Sequence, residues 1–370
     1  MASSAPIVSV ELHELEIPYR RPVEWTVGGT ESGAAYLVLR LVDEEGAAGA
    51  AESLCKPIWN GVTPGILARL VSDVAWPAMR RAGLPDEHAG RRIARNIRDV
   101  LAVQALLDNA CRDLCAARTG ADPAPPGPVA ATPVLTRAAA SVMAEEARGA
   151  VDRGFVMLKV KLGQGLREDA GVLAAIRGAV GGAVALTADA NGAYARQDLP
   201  ELMRIVADAD VAFLEDPCPI VPREAWRDVF EGAPVPVMLD RHCSSADAAG
   251  AFADFGATHF AAKPGRLGLG EAEAIADCAR AAGGGVCVGM FSESALGAVN
   301  QIRFAGQLAG DPVLVSAETA FHEGLAVSYL EAPLGFVDGG HVLPPAPNLD
   351  ALVDWERLRA DATTSRLLGG

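Results

Sequence analysis

From residue 129 onward, short apolar runs recur at regular intervals and alternate with amphipathic stretches of helical period. The runs begin near Val129, Phe155, Val184, Val211, Val235, His259, Val286 and Leu314. Helical patterns cover 137–152, 168–180, 199–209, 245–255, 271–282 and 295–308. Eight strand-then-helix units at spacings of about 24 to 29 residues predict a (β/α)8 barrel. A doubly wound open sheet competes with it. The count of eight, and the polar residues that end the strands, favour the barrel.

The first part of the chain reads differently. Residues 7–17 alternate apolar and polar positions, and 35–42 and 49–53 flank an acidic, glycine-containing turn at 43–46, so a β-meander is expected. Residues 18–33, with Arg20, Arg21, Glu24, Trp25 and Thr30, are too polar and glycine-rich for core and are read as a loop carrying candidate ligand contacts. Helical periodicity follows over 64–82 and 88–118, the second with Ile93, Ile97, Val100, Leu101, Val103, Leu106 and Leu107 on one stripe. The Gly/Pro/Ala stretch 120–128 reads as a linker. The expected organisation is α/β: an α+β unit over 1–120, a barrel over 128–340 and a C-terminal segment over 341–370.

Chemistry gathers where the barrel strands end. The second run closes on L-K-V-K-L-G, and because side chains alternate along a strand, Lys159 and Lys161 point the same way. Two adjacent ammonium groups repel, which lowers a lysine pKa toward the range of a base. The third, fourth and fifth strands end in L-T-A-D-A-N, F-L-E-D-P and V-M-L-D-R-H, delivering Asp189, Glu215 and Asp240 in successive units. Three converging carboxylates need a cation, and hard oxygen ligands favour Mg²⁺. Lys263, in F-A-A-K-P-G-R, and Glu293, in G-M-F-S-E-S-A-L-G, end the sixth and seventh strands. In a closed barrel Lys161 and Lys263 face each other across the metal site. A substrate carboxylate on Mg²⁺ would have a more acidic α-proton, because the enediolate formed on deprotonation carries its charge on metal-held oxygens.

The whole pattern resembles the enolase superfamily and, within it, the muconate lactonizing enzyme subgroup. That subgroup places K-x-K on strand two, Asp, Glu and Asp or Glu on strands three to five, and a lysine on strand six, which Lys159, Lys161, Asp189, Glu215, Asp240 and Lys263 match. Asn191 and Glu293 also match positions the subgroup uses. The resemblance implies a modified (β/α)8 TIM barrel with an N-terminal α+β capping domain, with the tail packing back across both. It also implies Mg²⁺, with Mn²⁺ as a substitute, Lys161 as base and Lys159 as its electrostatic partner. A strand-seven histidine, the mark of the mandelate racemase subgroup, is replaced by Met290 to Glu293, so His242 and His259 are read as peripheral. D-R-H-C over 240–243 departs from the usual D-E-S and alters the surroundings of Asp240. Segment 346–354 departs from the usual glycine-rich tail. Arg20, Arg21 and Trp25 fall in the loop that in this family screens the site. Arginine there would pair with a second substrate carboxylate, and Trp25 would cover an apolar or cationic part.

Composition narrows the rest. A formal net charge of −15 argues against nucleic acid and against an anionic membrane surface. Seven scattered cysteines without zinc-ribbon spacing point to a reduced, cytoplasmic compartment, and residues 1–8 lack signal-peptide character. G-R-L-G-L-G over 265–270 lacks the full dinucleotide pattern, and Ser292 and Ser294 form no nucleophile elbow. The expected function is Mg²⁺-dependent proton abstraction next to the carboxylate of a small molecule, as racemase or epimerase of an amino-acid derivative. Muconate-type cycloisomerisation, elimination of water from a hydroxy acid and a non-catalytic metal-binding barrel are the alternatives. A homo-oligomer is expected.

Overall fold

The computed structural model describes residues 5–25, 29–82, 86, 88–94, 96–120 and 125–369, apart from the side chains of residues 24, 25 and 82. β1 (Ile7–Trp25), β2 (Gly29–Asp43) and β3 (Ala48–Cys55) form the antiparallel meander that the alternation predicts. The ribbon is longer than expected. Residues read as a loop continue it: Pro18 opposes Gly33, the register shifts, and Val23, Glu24 and Trp25 pair with Glu31, Thr30 and Gly29. A ladder is built from backbone groups and tolerates exposed polar side chains; Pro22 donates no hydrogen and lies within the shift, where an interrupted ladder accommodates it.

Helix Leu101–Thr119 packs on β3 at close range. A Cβ added at Gly49 would lie 2.2 Å from the backbone nitrogen of Leu114. The helical pattern over 88–118 is interrupted between Ala89–Ala94 and Leu101–Thr119, where Asp99 takes a left-handed φ of 61°. The stretch 64–82 is helical throughout, with a π-turn at Val71–Ala75. Leu12, Leu37, Leu39, Leu67, Leu106 and Leu107 lie in the core of this unit.

After β4 (Val129–Ala130) come eight strands that pair in chain order as one parallel sheet. They are β5 (Val134–Leu135), β6 (Met157–Lys161), β7 (Ala185–Asp189), β8 (Val211–Glu215), β9 (Val237–Leu239), β10 (His259–Ala262), β11 (Val286–Val288) and β12 (Leu314–Ala317). The expected first strand at Val129 is corrected: Val129–Ala130 pairs antiparallel with β14 in a separate three-stranded sheet of β4, β13 (Gly335–Val337) and β14 (Gly340–Val342). The parallel sheet begins after Pro133, which offers its carbonyl to Lys159 N–H at 3.0 Å. Edge strands β5 and β12 do not form a ladder with each other. Thr132 N–H nonetheless donates to Ala317 O at 2.7 Å, and the hydroxyls of Ser316 and Thr132 are 3.0 Å apart.

The two faces of this sheet differ. Leu158, Val160, Leu186, Ala188, Leu214, Leu239, Phe260, Ala262, Val286 and Val288 belong to the main core with the helices. Phe213, Met238, Ala261 and Cys287, one from each of four consecutive strands, form a separate buried cluster. With a period of two, the next residues on that face are Glu215, Asp240, Lys263 and Gly289. This apolar layer is the floor on which the polar layer stands. At the far end of the chain, β15 (Thr364–Gly369) adds to β1 antiparallel, Val10 opposite Leu368. Asp113 on helix Leu101–Thr119 accepts from Ala50, Leu349 and Asp350 backbone N–H groups, so 348–350 docks against β3 without glycine.

Candidate active site

Register sets the site. Lys161 lies opposite Asp189 across β6 and β7, and Asp189 opposite Glu215 across β7 and β8, so these ends are level. Lys159 Nζ lies 2.8 Å from Glu215, 2.7 Å from Glu318 and 3.2 Å from Asp189. Lys161 Nζ donates to Asp189 at 2.6 Å and to Asn191 Oδ1 at 3.2 Å. Lys263 Nζ donates to Asp240 at 2.5 Å, whose other oxygen is 3.6 Å from Arg266. Lys159 thus sits buried among Asp189, Glu215 and Glu318, and Lys263 and Asp240 form a second, mostly buried pair.

Burial opposes the charge on Lys159, but Glu215, Glu318 and Asp189 outweigh it and hold the ammonium well above its ordinary range. The pKa lowering expected from the neighbouring lysine is therefore overridden at Lys159, because the carboxylates are closer partners. Burial also opposes Lys263, and Asp240 with Glu215 raises it nonetheless. Burial, with the charge of Asp189, lifts Glu215 well above the carboxylate range against the pull of Lys159. Burial works the same way on Asp189 and Asp240, yet Lys161 and Lys159 hold the first low and Lys263 and Arg266 the second.

Glu293 lies beside the segment that carries Lys263. It is buried, its Oε2 accepts from Phe291 N–H at 2.6 Å, and its Oε1 has no hydrogen-bond partner. That oxygen lies against Gly265, two residues after Lys263; a Cβ there would approach it to 2.5 Å. Burial pushes the Glu293 carboxyl up to about 8. Asn191, Asp216 and Ser292, after β7, β8 and β11, take left-handed φ values of 48°, 39° and 57°. Such strain persists where surrounding contacts fix the chain. Asp216 does so for the next strand, accepting from the N–H groups of Asp240 at 3.1 Å and Arg241 at 2.9 Å.

Other sequence candidates lie outside these charged groups. Arg20 is exposed and donates through Nε to Glu323 O at 3.0 Å. The Trp25 side chain lies outside the described residues. In D-R-H-C, Arg241 donates to Asn191 O at 3.0 Å and His242 Nε2 accepts from Ile220 N–H at 3.3 Å. The glycine run 265–270 is held by the N-terminal unit: Asp108 accepts from Gly270 N–H at 2.8 Å and Asn109 from Leu269 N–H at 2.9 Å. Two functional candidates were missed. Glu318 follows β12 as the other carboxylates follow their strands, and that repetition was its signal. Glu52 sits inside the small-residue strand A-A-E-S, where a lone acid is unusual.

Among the described residues, no three His, Cys, Asp or Glu side chains are gathered closely enough to hold a metal as they stand, since lysines lie between the carboxylates. The donors nevertheless suit a hard divalent cation. Glu215 Oε1 and Asp240 Oδ1 are buried oxygens without a hydrogen-bond partner, and Asp189 is their neighbour.

Residues 142–354 match the family described as enolase C-terminal domain-like. The chain belongs to the enolase superfamily. Among its relatives in the superfamily, an N-succinylamino acid racemase of Thermus thermophilus is 28% identical over 315 residues, covering 81% of this chain and 82% of the relative. A hydrophobic dipeptide epimerase of Enterococcus faecalis is 33% identical over 106 residues, a stretch spanning 29% of this chain and 30% of that protein. The solved dipeptide epimerase of Enterococcus faecalis, complexed with Mg and the dipeptide L-Leu-L-Tyr, superposes with a TM-score of 0.80 at 21% identity. The superposition covers 94% of this chain and 99% of that one.

Proposed function

We propose that this enolase-superfamily chain is an isomerase that racemises or epimerises an amino-acid derivative at the carbon next to a carboxylate. The observation that carries this is the pairing of each lysine with one of the carboxylates at the strand ends, Lys161 at the end of β6 with Asp189 and Lys263 after β10 with Asp240. Lysines on opposite sides of a bound α-carbon suit removal of a proton from one face and its return to the other. The names of the racemase and epimerase relatives support the same chemistry.

Asp189, Glu215 and Asp240 would hold Mg²⁺, with Mn²⁺ as a substitute. The bound cation would offset the charge that builds on the substrate carboxylate when the α-proton leaves. Lys161 accepts the proton as a free amine while Lys263 delivers one as an ammonium, and the roles reverse for the other enantiomer. Lys159, tied to Glu215 and Glu318, stays charged beside them and supplies fixed positive potential. Asn191 orients Lys161, and Glu293 backs the segment carrying Lys263. Arg20 and Trp25, on the hairpin of β1 and β2, are assigned to contacts with the distal part of the substrate.

The same reading takes the parallel sheet as a closed barrel over 128–340, covered by a cap over 1–120, with 341–370 returning to it. The Thr132 to Ala317 hydrogen bond supports closure. Homo-oligomeric assembly and a cytoplasmic location belong to this proposal. Among the described residues no helix is long and apolar enough to cross a membrane.

Replacing each lysine alone tests the assignment. K161A should lose α-proton exchange with one enantiomer by about 10²–10⁴-fold and K263A with the other. Equal retention of exchange with both enantiomers in both variants would refute the two-base assignment.

A further inference from the structure

Two residues of the N-terminal meander reach the turn that carries Glu293. Glu52, buried on β3, accepts from Ser294 N–H at 2.7 Å and from the Ser294 hydroxyl. Ser294 in turn caps helix Ala295–Gln307, accepting from Leu296 N–H at 3.1 Å. Gly297 lies between the two acids: a Cβ there would come within 2.4 Å of Glu52 Oε1 and 2.8 Å of Glu293 Cγ. Tyr36 on β2 is fully buried and donates its hydroxyl to Ser292 O at 2.8 Å. The residues immediately before and after Glu293 are therefore both fixed from the meander, and Ser292 is the one in left-handed backbone conformation.

From this geometry we infer that Tyr36 and Glu52 are positioning residues that clamp the 292–294 turn and set the placement and proton affinity of Glu293. The inference deepens the proposed reaction, in which Glu293 backs the Lys263 segment. Left to itself, a turn with a strained residue would relax, and a buried carboxyl with one unpartnered oxygen would move toward water. The clamp prevents both. Among the described residues, the titratable groups facing Glu293 are Glu52 from β3, Lys263 after β10 and Tyr36 from β2. Burial raises Glu293, the charge on Glu52 adds to the rise, and Lys263 opposes it. Burial likewise lifts Glu52 to about 7, so it ionises across the neutral range below Glu293. Tyr36 is held well above its ordinary value by burial and remains a neutral donor.

The test uses the full chain and needs no substrate. Difference infrared titration of the carboxyl band, wild type against E293Q, reports the Glu293 midpoint; the same difference is taken in the E52Q and Y36F backgrounds. E52Q keeps an acceptor for Ser294 N–H but no charge, so the Glu293 midpoint should fall by about half a pH unit or more. Y36F removes only the hydroxyl holding Ser292 and should lower it as well, and it decides the matter if E52Q does not fold. Turnover in Y36F should show kcat reduced about tenfold with KM within about twofold, since placement rather than binding is lost. An unmoved midpoint in the folded variants would overturn the clamp. A wild type that exchanges no α-proton with any substrate would instead defeat the proposed reaction and leave the midpoint to decide this inference.

Discussion

At the residue scale, the site is governed by pairing under burial. Glu318 shares Lys159 with Glu215 and Asp189 and also accepts from Met290 N–H at 3.1 Å. E318A removes one of three partners from a buried ammonium and should cost about 1–3 kcal/mol, read as a lower urea midpoint. A second prediction concerns pH. Glu293 and Glu52 lie near 8 and 7 against an ordinary value of 4.5. Carboxyls raised on folding contribute stability that is complete below the unfolded value and is lost as pH rises through the folded one. The wild type should therefore lose melting temperature between about pH 5 and pH 8, and E293Q, which cannot ionise, should flatten that loss by about 2–4 °C. A parallel pair of melting curves would contradict the placement of Glu293. Lys159, Lys161, Asp189, Glu215, Asp240 and Lys263 were legible in the sequence because each lies within two residues of the end of a strand whose alternation fixes its direction. The protonation behaviour of Lys159 was not, since it depends on Glu318 and Glu215, which come from strands far along the chain.

At the element scale, regular repetition was readable and exceptions to it were not. Six helices and seven of the eight parallel strands lie close to where the periodicity puts them. Val129–Ala130 failed because a two-residue apolar run has no period, and pairing with β14 depends on a partner more than two hundred residues away. The β1 and β2 ribbon ran on through polar residues because backbone pairing, not hydrophobic alternation, extends it. The close packing of β3 on helix Leu101–Thr119 gives a sharp test. G49A would drive a methyl group to 2.2 Å from backbone atoms that cannot swing aside. It should destabilise the protein by about 3 kcal/mol or more, seen as a lower melting temperature. By contrast, G265A meets a carboxylate side chain, so its expected effect is a displaced Glu293 and reduced turnover with the fold retained.

At the scale of the whole molecule, the parallel sheet supplies the charged layer and the N-terminal unit holds it in place, through Asp108 and Asn109 of helix Leu101–Thr119 at 269–270 and through Glu52 at Ser294 and Tyr36 at Ser292 from the meander. A family match over 142–354 lies within the sheet-bearing part, whereas these contacts come from outside it. Proton abstraction next to a carboxylate by two opposed lysines can be tested before the substrate is known. The protein is incubated with Mg²⁺ in D₂O with optically pure N-acyl amino acids, dipeptides and cis,cis-muconate, and products are read by mass spectrometry and chiral separation. The predicted result is deuterium at the α-carbon of an amino-acid derivative with loss of optical purity, lost on chelation of the metal. Deuterium found instead in a lactone formed from muconate, with every amino-acid derivative unchanged, would contradict it.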